Sequence, residues 1–292
     1  MTGARDDEHG AVGESLRLMV IGATGRTGNA VVHALGAQPG VELVACIAPS
    51  VASTPTRPLP EGVAAFATLH EVDVEADIVV DLGVAGAVPS HLATALSRGW
   101  HTIIGATAFD LAAVTKLGDE FRAAGLGLLI VPNFSVGAVL MMYFASVAAR
   151  YLPDAAIIEQ HHSTKVDAPS GTAMRTAQLI ASARPAHVSA PVEVAVGVGS
   201  GGVEAPRNDS DIARAASPEA GTYGLDVEGV PVHALRLAGA TAHQDVVFSG
   251  IGEVLTITHD AIDRSCYAAG VALAARQVTA SSGLGLNIGL EL

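Results

Sequence analysis

The sequence predicts an α/β protein with an N-terminal Rossmann-type, doubly wound parallel sheet and a C-terminal α+β domain built on an open mixed sheet. Three observations predict it. Short apolar runs alternate with helix-spaced segments from Leu16 to Pro132, the pattern of right-handed strand–helix–strand units. The first run ends in a glycine-spaced turn, "VIGATGRTGNAVV". After Asn133 the alternation stops, and three strand-like segments follow one another closely, as in an antiparallel or mixed sheet.

Each element follows from local sequence. "LRLMVIG" (16–22) is an apolar run closed by glycine and reads as a buried parallel strand. "RTGNAVVHALGA" (26–37) has helical spacing, "VELVACIA" (41–48) is a second strand, and residues 49–62, rich in Pro, Ser and Thr, read as a loop. "ADIVVDLG" (76–83), "HTIIGAT" (101–107) and "LGLLIVP" (126–132) are further strands. "SHLATALSRG" (90–99) and "LAAVTKLGDEFRAAG" (111–125) are the helices between them. A long apolar helix then runs to about Leu152, "AAIIEQHHS" (155–163) is strand-like, and "SGTAMRTAQLIASA" (170–183) is a helix. Residues 187–223, dense in Gly, Ala, Pro and Ser, are expected to form a long surface connection. "VPVHALRLA" (230–238), "HQDVVFSG" (243–250) and "EVLTITHD" (253–260) are strands, and "CYAAGVALAARQV" (266–278) closes as a helix. The domains are placed at 16–133 and 134–262, with residues 1–15 a disordered leader.

Composition bounds the class. A chain of 292 residues, 50% hydrophobic and 15% charged, buries a sizeable core. A formal net charge of −13 without a basic run argues against nucleic acid as a partner. Cys46 and Cys266 lie far apart with no C-x-x-C, which predicts neither a disulfide nor a metal site and points to a reducing, cytoplasmic setting. The polar first fifteen residues lack the apolar region of a signal peptide. Residues 123–149 carry no charge and mimic a membrane span, but Pro132, Asn133 and Gly137 interrupt them. A buried strand followed by a buried helix accounts for them without a membrane.

Two stretches carry chemistry. Gly22, Gly25 and Gly28 lie between the first strand and the first helix. Glycine there permits unusual dihedrals and close backbone approach to a pyrophosphate, and the helix N-terminus supplies N–H groups and the positive end of its dipole. Arg26 adds a charge for a phosphate. The plain structural alternative is a tight turn whose glycines only allow packing. No acid closes the second strand to hold an adenine ribose; Ala48 and Pro49 stand there, with Ser50, Ser53, Thr54 and Arg57 following. That leans toward NADPH over NADH.

The second stretch is "EQHHSTKVDAPSGTA" (159–173), which holds two adjacent histidines, a lysine and two acids. Neighbours on a strand face opposite sides, so His161 and His162 are expected to diverge. Ser170 is a good N-cap, and Gly171 and Thr172 open a helix; with Lys165 nearby they form a site for a carboxylate. A histidine beside it suits acid–base work near neutral pH. A capped helix after a polar loop, with surface histidines, is the structural alternative.

This second stretch resembles the E-x-H-H-x-x-K-x-D-A-P-S-G-T-A signature of the 4-hydroxy-tetrahydrodipicolinate reductases, or dihydrodipicolinate reductases, of lysine and diaminopimelate biosynthesis. "GATGRTG", "VPNFSVGA", "GVPVHALRLAGATAHQ" and "GEVLTITHD" are similar to further segments of that family, so the resemblance runs from Leu16 to Val278. It implies an NAD(P)H-binding first domain, to which 263–280 returns. It also implies a second domain that binds a cyclic imine dicarboxylate and forms a homotetramer. His161 and Lys165 are implied as catalytic, with His161 supplying the proton. His162, Ser170, Gly171, Thr172 and Arg236 would bind substrate. Gly22, Thr24, Gly25, Arg26, Thr27, Gly28, Gly83, Gly105, Thr107, Asn133 and Phe134 would hold NADPH or NADH.

The departures lie in the first domain, where the family's D-F-T and G-T-T appear as Asp81-Leu82-Gly83 and Gly105-Ala106-Thr107. Three further readings stay open: a paralogue acting on a related cyclic imine, one that only dehydrates it, or a non-catalytic dicarboxylate-binding protein.

Overall fold

The structure is a computed structural model that describes residues 15–53, 57–106, 109–152, 154–185, 224–280 and 285–291. Residues 1–14 of the leader, Thr54, Thr107 and the 187–223 connection named above lie outside them. The chain divides into two units, one running to Val136 and resuming at Asp263, the other spanning Gly137–Ile262.

The first unit is a seven-stranded sheet in the order β12-β6-β5-β4-β1-β2-β3, with every pairing parallel. Its strands are β1 (Leu16–Ile21), β2 (Val41–Ile47), β3 (Ala64–Phe66), β4 (Ile78–Asp81), β5 (His101–Ile104), β6 (Gly127–Ile130) and β12 (Gly285–Ile288). Helices α1 (Arg26–Leu35) and α6 (Tyr267–Thr279) cover one face. There Val31, Leu35, Val271 and Ala275 pack on Leu18, Val20, Val80 and Leu129. Helices α2 (Val88–Arg98) and α3 (Leu111–Ala123) cover the other, where Leu92 and Phe121 pack on Met19, Val79 and Leu128. Burial on both faces is why 18–21 of β1, 78–80 of β4 and 127–130 of β6 read as continuous apolar runs.

Two expectations need correction here. Strand and helix do not alternate strictly, because no α-helix joins β2 to β4 among the described residues. Pro49, Pro58 and Pro60 disfavour one, and the chain instead makes two 3-10 turns and the three-residue β3 at the sheet edge. The sheet also gains β12 from the last residues, which pairs with β6.

The second unit is a five-stranded mixed sheet in the order β11-β10-β7-β9-β8. Its strands are β7 (Asp154–His161), β8 (Leu225–Val227), β9 (Val230–Arg236), β10 (Ala242–Gly250) and β11 (Glu253–Ala261). β7 lies parallel to β9 and antiparallel to β10. Helices α4 (Val136–Ala148) and α5 (Gly171–Ala183) cover one face, with Met141, Ala145, Ala177 and Ile180 packed on Ile157, Val232, Val246 and Phe248. The uncharged stretch that mimics a span is thus β6 followed by α4. No helix among the described residues is long and apolar enough to cross a membrane. Tyr143 and Phe144 of α4 are 59% and 50% exposed, so the chain covers only part of that helix.

Candidate active site

Alternation along β7 places Ala155, Ile157, Glu159 and His161 on the helix-covered face. Glu159 is fully buried. An ionised carboxylate is costly in such a place unless it is paired and hydrogen-bonded. Glu159 is both. Arg236 of β9 donates from Nη1 to Oε2 and from Nη2 to Oε1, each at 2.9 Å. The Ser170 N–H donates to Oε1 at 3.0 Å, and His161 Nδ1 lies 2.5 Å from Oε2. Burial raises the Glu159 carboxyl, but the bonds from Arg236, His161 and Ser170 outweigh it and hold the group below the usual carboxylate range.

That ionised partner puts the His161 hydrogen on Nδ1 and leaves Nε2 as the nitrogen that can exchange a proton. Burial lowers the His161 pKa; Glu159 opposes this, Lys165 and Arg236 add to it, and the net shift is downward.

β7 ends at His161, so His162 lies just past the strand, in the turn. Its Nδ1 is 2.8 Å from Thr164 Oγ1, and its carbonyl accepts from the Lys165 N–H. Lys165 Nζ donates to both Asp167 oxygens at 2.8 Å, which holds the Asp167 carboxyl low. Ser170 is the N-cap of α5, its Oγ accepting from the Ala173 N–H at 3.1 Å. Gly171 is exposed, and a Cβ there would meet nothing within 4 Å, so the fold itself does not require glycine. With Thr172 it opens the first helical turn, where N–H groups and the helix dipole favour an anion.

The turn therefore gathers His161, His162, Lys165, Ser170, Gly171 and Thr172. Arg236, expected to bind substrate, lies against the same turn and also makes bonds within the protein. Its two Nη atoms bond Glu159, the Leu235 carbonyl and the Asp167 carbonyl, which uses the four hydrogens they carry. It braces the site and has no Nη hydrogen left to offer a substrate. Glu159, assigned no role from sequence, is the centre of the cluster. The one local signal was its spacing of two from His161, on the face that carries Ile157.

In the first unit the glycine turn sits at the carboxyl ends of β1 and β4, on opposite sides of which the strand order runs in opposite directions. Such a switch point is where doubly wound sheets bind ligands. Gly22 has φ +79°, and a Cβ on it would lie 2.6 Å from the Leu82 carbonyl oxygen. A Cβ on Gly28 would overlap the Gly22 carbonyl. α1 starts at Arg26 with Gly25 as N-cap and no side chain capping it, which suits a phosphate. Arg26 is exposed, and Thr27 is half-buried. Thr24 Oγ1 lies 2.7 Å from Ser50 Oγ, and Arg57 donates to the Thr24 carbonyl at 3.3 Å, so both loop residues reach the glycine turn.

After β4, the Gly83 N–H donates to buried Asp81, which also pairs with His91 of α2 at 2.7 Å. Asn133 accepts from the Ser135 N–H ahead of α4. Phe134, expected at the cofactor, is 5% exposed, and Gly105 leaves the space its ring fills. Its side chain therefore belongs to the core.

Residues 16–134 match the family model described as dihydrodipicolinate reductase, N-terminus, and residues 137–287 match its C-terminal counterpart. The chain is 39% identical over 277 residues to the 4-hydroxy-tetrahydrodipicolinate reductase of Streptomyces coelicolor, covering 94% of this chain and 96% of the relative. It is 39% identical over 284 residues to that of Nocardia farcinica, covering 95% and 98%. Among solved structures, a dipicolinate-bound dihydrodipicolinate reductase from Paenisporosarcina sp. TG-14 superimposes with a TM-score of 0.74 at 32% identity, covering 94% of this chain and 98% of that one.

Proposed function

The chain belongs to the dihydrodipicolinate reductase family, and we propose that it reduces 4-hydroxy-tetrahydrodipicolinate, a cyclic imine dicarboxylate, to tetrahydrodipicolinate in lysine and diaminopimelate biosynthesis. The observation that carries this reading is the turn after β7, where a histidine held by a buried carboxylate stands in one short segment with a lysine and the serine-capped entrance of α5. A dicarboxylate ring needs an anion site and a proton donor together, and this segment offers both.

A nicotinamide cofactor, when bound, would supply the hydride that C4 of the ring takes up once its hydroxyl has left as water. His161 gives a proton to the adjacent carbon through Nε2, and Glu159 stabilises the ring while it is charged. Lys165 exchanges Asp167 for a substrate carboxylate, and Ser170, Gly171 and Thr172 hold that carboxylate at the start of α5. His162 contacts the substrate from the turn. Gly22, Thr24, Gly25, Arg26, Thr27 and Gly28 would hold the pyrophosphate of the cofactor, and Gly83, Gly105 and Asn133 would line the rest of its site.

NADPH is favoured. Ala48 is 2% exposed and offers a ribose nothing, whereas Ser50 and Arg57 lie against the glycine turn, where a 2′-phosphate finds donors. A homotetramer is favoured too. Among the described residues, helices cover the second sheet on one face only, and Leu140, Tyr143 and Phe144 of α4 and Val254 of β11 leave apolar surface for other copies. Both cysteines are free thiols, and burial pushes Cys46 up to about 12, which fits the reducing cytoplasm.

The test is to supply freshly made 4-hydroxy-tetrahydrodipicolinate with NADPH or NADH and follow cofactor oxidation. Oxidation that depends on the dicarboxylate is expected. Water loss without oxidation, or binding with neither, would contradict the reading.

A further inference from the structure

We propose that Glu159, held by Arg236, is the positioning residue of the acid site: its buried carboxylate fixes the His161 ring and ties that ring to the turn that opens α5. The inference rests on the reading of His161 as proton donor.

The fold does not need this charge. Ala155 and Ile157 occupy the same face of β7, and an apolar residue at 159 would continue that core. Buried ion pairs can commonly be replaced by apolar groups without loss of stability, so a charge kept here calls for another account.

The bonding pattern gives one. The carboxylate accepts from three separate segments: His161 on its own strand, Arg236 on β9, and the Ser170 N–H at the entrance of α5. Arg236 extends the tie through the Asp167 carbonyl to the turn that carries Lys165. Proton donor and anion site therefore hang on one carboxylate. The charged groups around His161 are Glu159, Arg236 and Lys165, and of these only Glu159 favours the protonated ring. An acceptor on Nδ1 also fixes the tautomer and aims Nε2, as an orienting carboxylate does for other catalytic histidines.

Glu159→Gln keeps the side-chain size. Its amide oxygen can still accept from Arg236, which turns the NH2 toward Nδ1 and forces the opposite tautomer. The variant is expected to lose kcat by about 10²-fold or more, within the roughly 10²–10⁴-fold a general acid contributes, with NADPH affinity unchanged. Deuterium exchange at the His161 Cε1 position, read by mass spectrometry, gives that residue's own titration curve. Its midpoint should fall by about 1–3 units, the effect of losing a close opposite charge.

Glu159→Gln leaves the Arg236 charge without its counter-charge and lowers stability, so Glu159→Gln/Arg236→Gln is the second variant. It should recover Tm without recovering kcat. A single variant with the parent's kcat and His161 curve would overturn the proposal, as would a double variant that regains kcat along with Tm. The exchange curve does not need turnover. A parent that oxidises no cofactor sinks the reductase reading, while a falling His161 midpoint still supports the tie to Glu159 and an unmoved one overturns it.

Discussion

The glycine turn of the first unit and the 159–173 segment of the second are both loop-to-helix entrances, but they are built on different terms. In the glycine turn the ligand site and the fold use the same atoms. Gly22 needs its positive φ and its contact with Leu82, and Gly28 must admit the Gly22 carbonyl, whether or not a dinucleotide binds. In the 159–173 segment several features exceed what the fold requires. A Cβ on Gly171 would touch nothing, Lys165 is spent on a neighbouring carboxylate, and a charged pair is buried on the face of β7 that carries Ala155 and Ile157. Residues in excess of folding need are the better witness to function. The glycine turn serves packing and ligand with the same atoms, so substitutions there test both at once, whereas substitutions in the 159–173 segment test the two apart.

The largest effect that sharpens this contrast is expected at Lys165. Removing one partner of a desolvated charge pair costs about 2–5 kcal/mol, or roughly 30- to several-thousand-fold. Lys165→Ala should lose that much kcat/KM while NADPH titrations and Tm stay near the parent values. A variant retaining more than about half of its activity would break the assignment.

A pair of glycine substitutions tests the contrast itself. Gly28→Ala should cost about 1–3 kcal/mol through overpacking, seen as a Tm fall of several degrees, together with weaker cofactor binding. Gly171→Ala should leave stability within about 0.5 kcal/mol. It should still weaken dicarboxylate binding by about 10–100-fold, because a methyl displaces one charge-assisted hydrogen bond. Calorimetry and dipicolinate titration separate the two. Equal Tm losses would erase the distinction.

A smaller effect is expected at the rim of the glycine turn. Arg57→Ala should weaken NADPH by roughly fivefold, about one exposed hydrogen bond, and leave NADH unchanged. Equal losses for both cofactors would place Arg57 away from the 2′-phosphate.

The smallest concerns a titratable cluster that is not tied to an anion site. On β10 and β11, His243 Nδ1 lies 2.7 Å from Asp260, and its Nε2 lies 3.0 Å from Asp245. Burial lowers the His243 pKa, but the two carboxylates outweigh it and the net shift is upward. A raised folded-state pKa means stabilisation that is complete below the ordinary value of about 6.5 and fades as pH rises through the folded value. The Tm gap between parent and His243→Gln should therefore be wider near pH 5.5 than near pH 8.5. A gap that widens toward alkaline pH would reverse the assignment.

Most of the fold was legible because its strands are long enough and buried on one or both faces, which imposes a period or a solid apolar run. β3 and β8 have three residues each, too few to show a period. β12 is four residues that become a strand only through β6. In the site, the histidines, the lysine and the α5 cap were legible from one contiguous segment. Glu159 was not, because its role depends on Arg236, which lies 77 residues later and reaches it through the pairing of β7 with β9. The tie between Arg236 and Glu159 was hidden for the same reason: a guanidinium reads as an anion binder, and its buried partner is known only from the fold.

The measurement that bears most directly on the account is the pH dependence of NADPH oxidation by the parent and by His161→Gln. With His161 as the acid, the parent rate should fall as pH rises through a value below the ordinary histidine range, the direction in which burial moves this ring. The variant should be slower by roughly 10²–10⁴-fold and show no such limb, with NADPH binding intact. A variant that keeps the parent's profile would contradict the account.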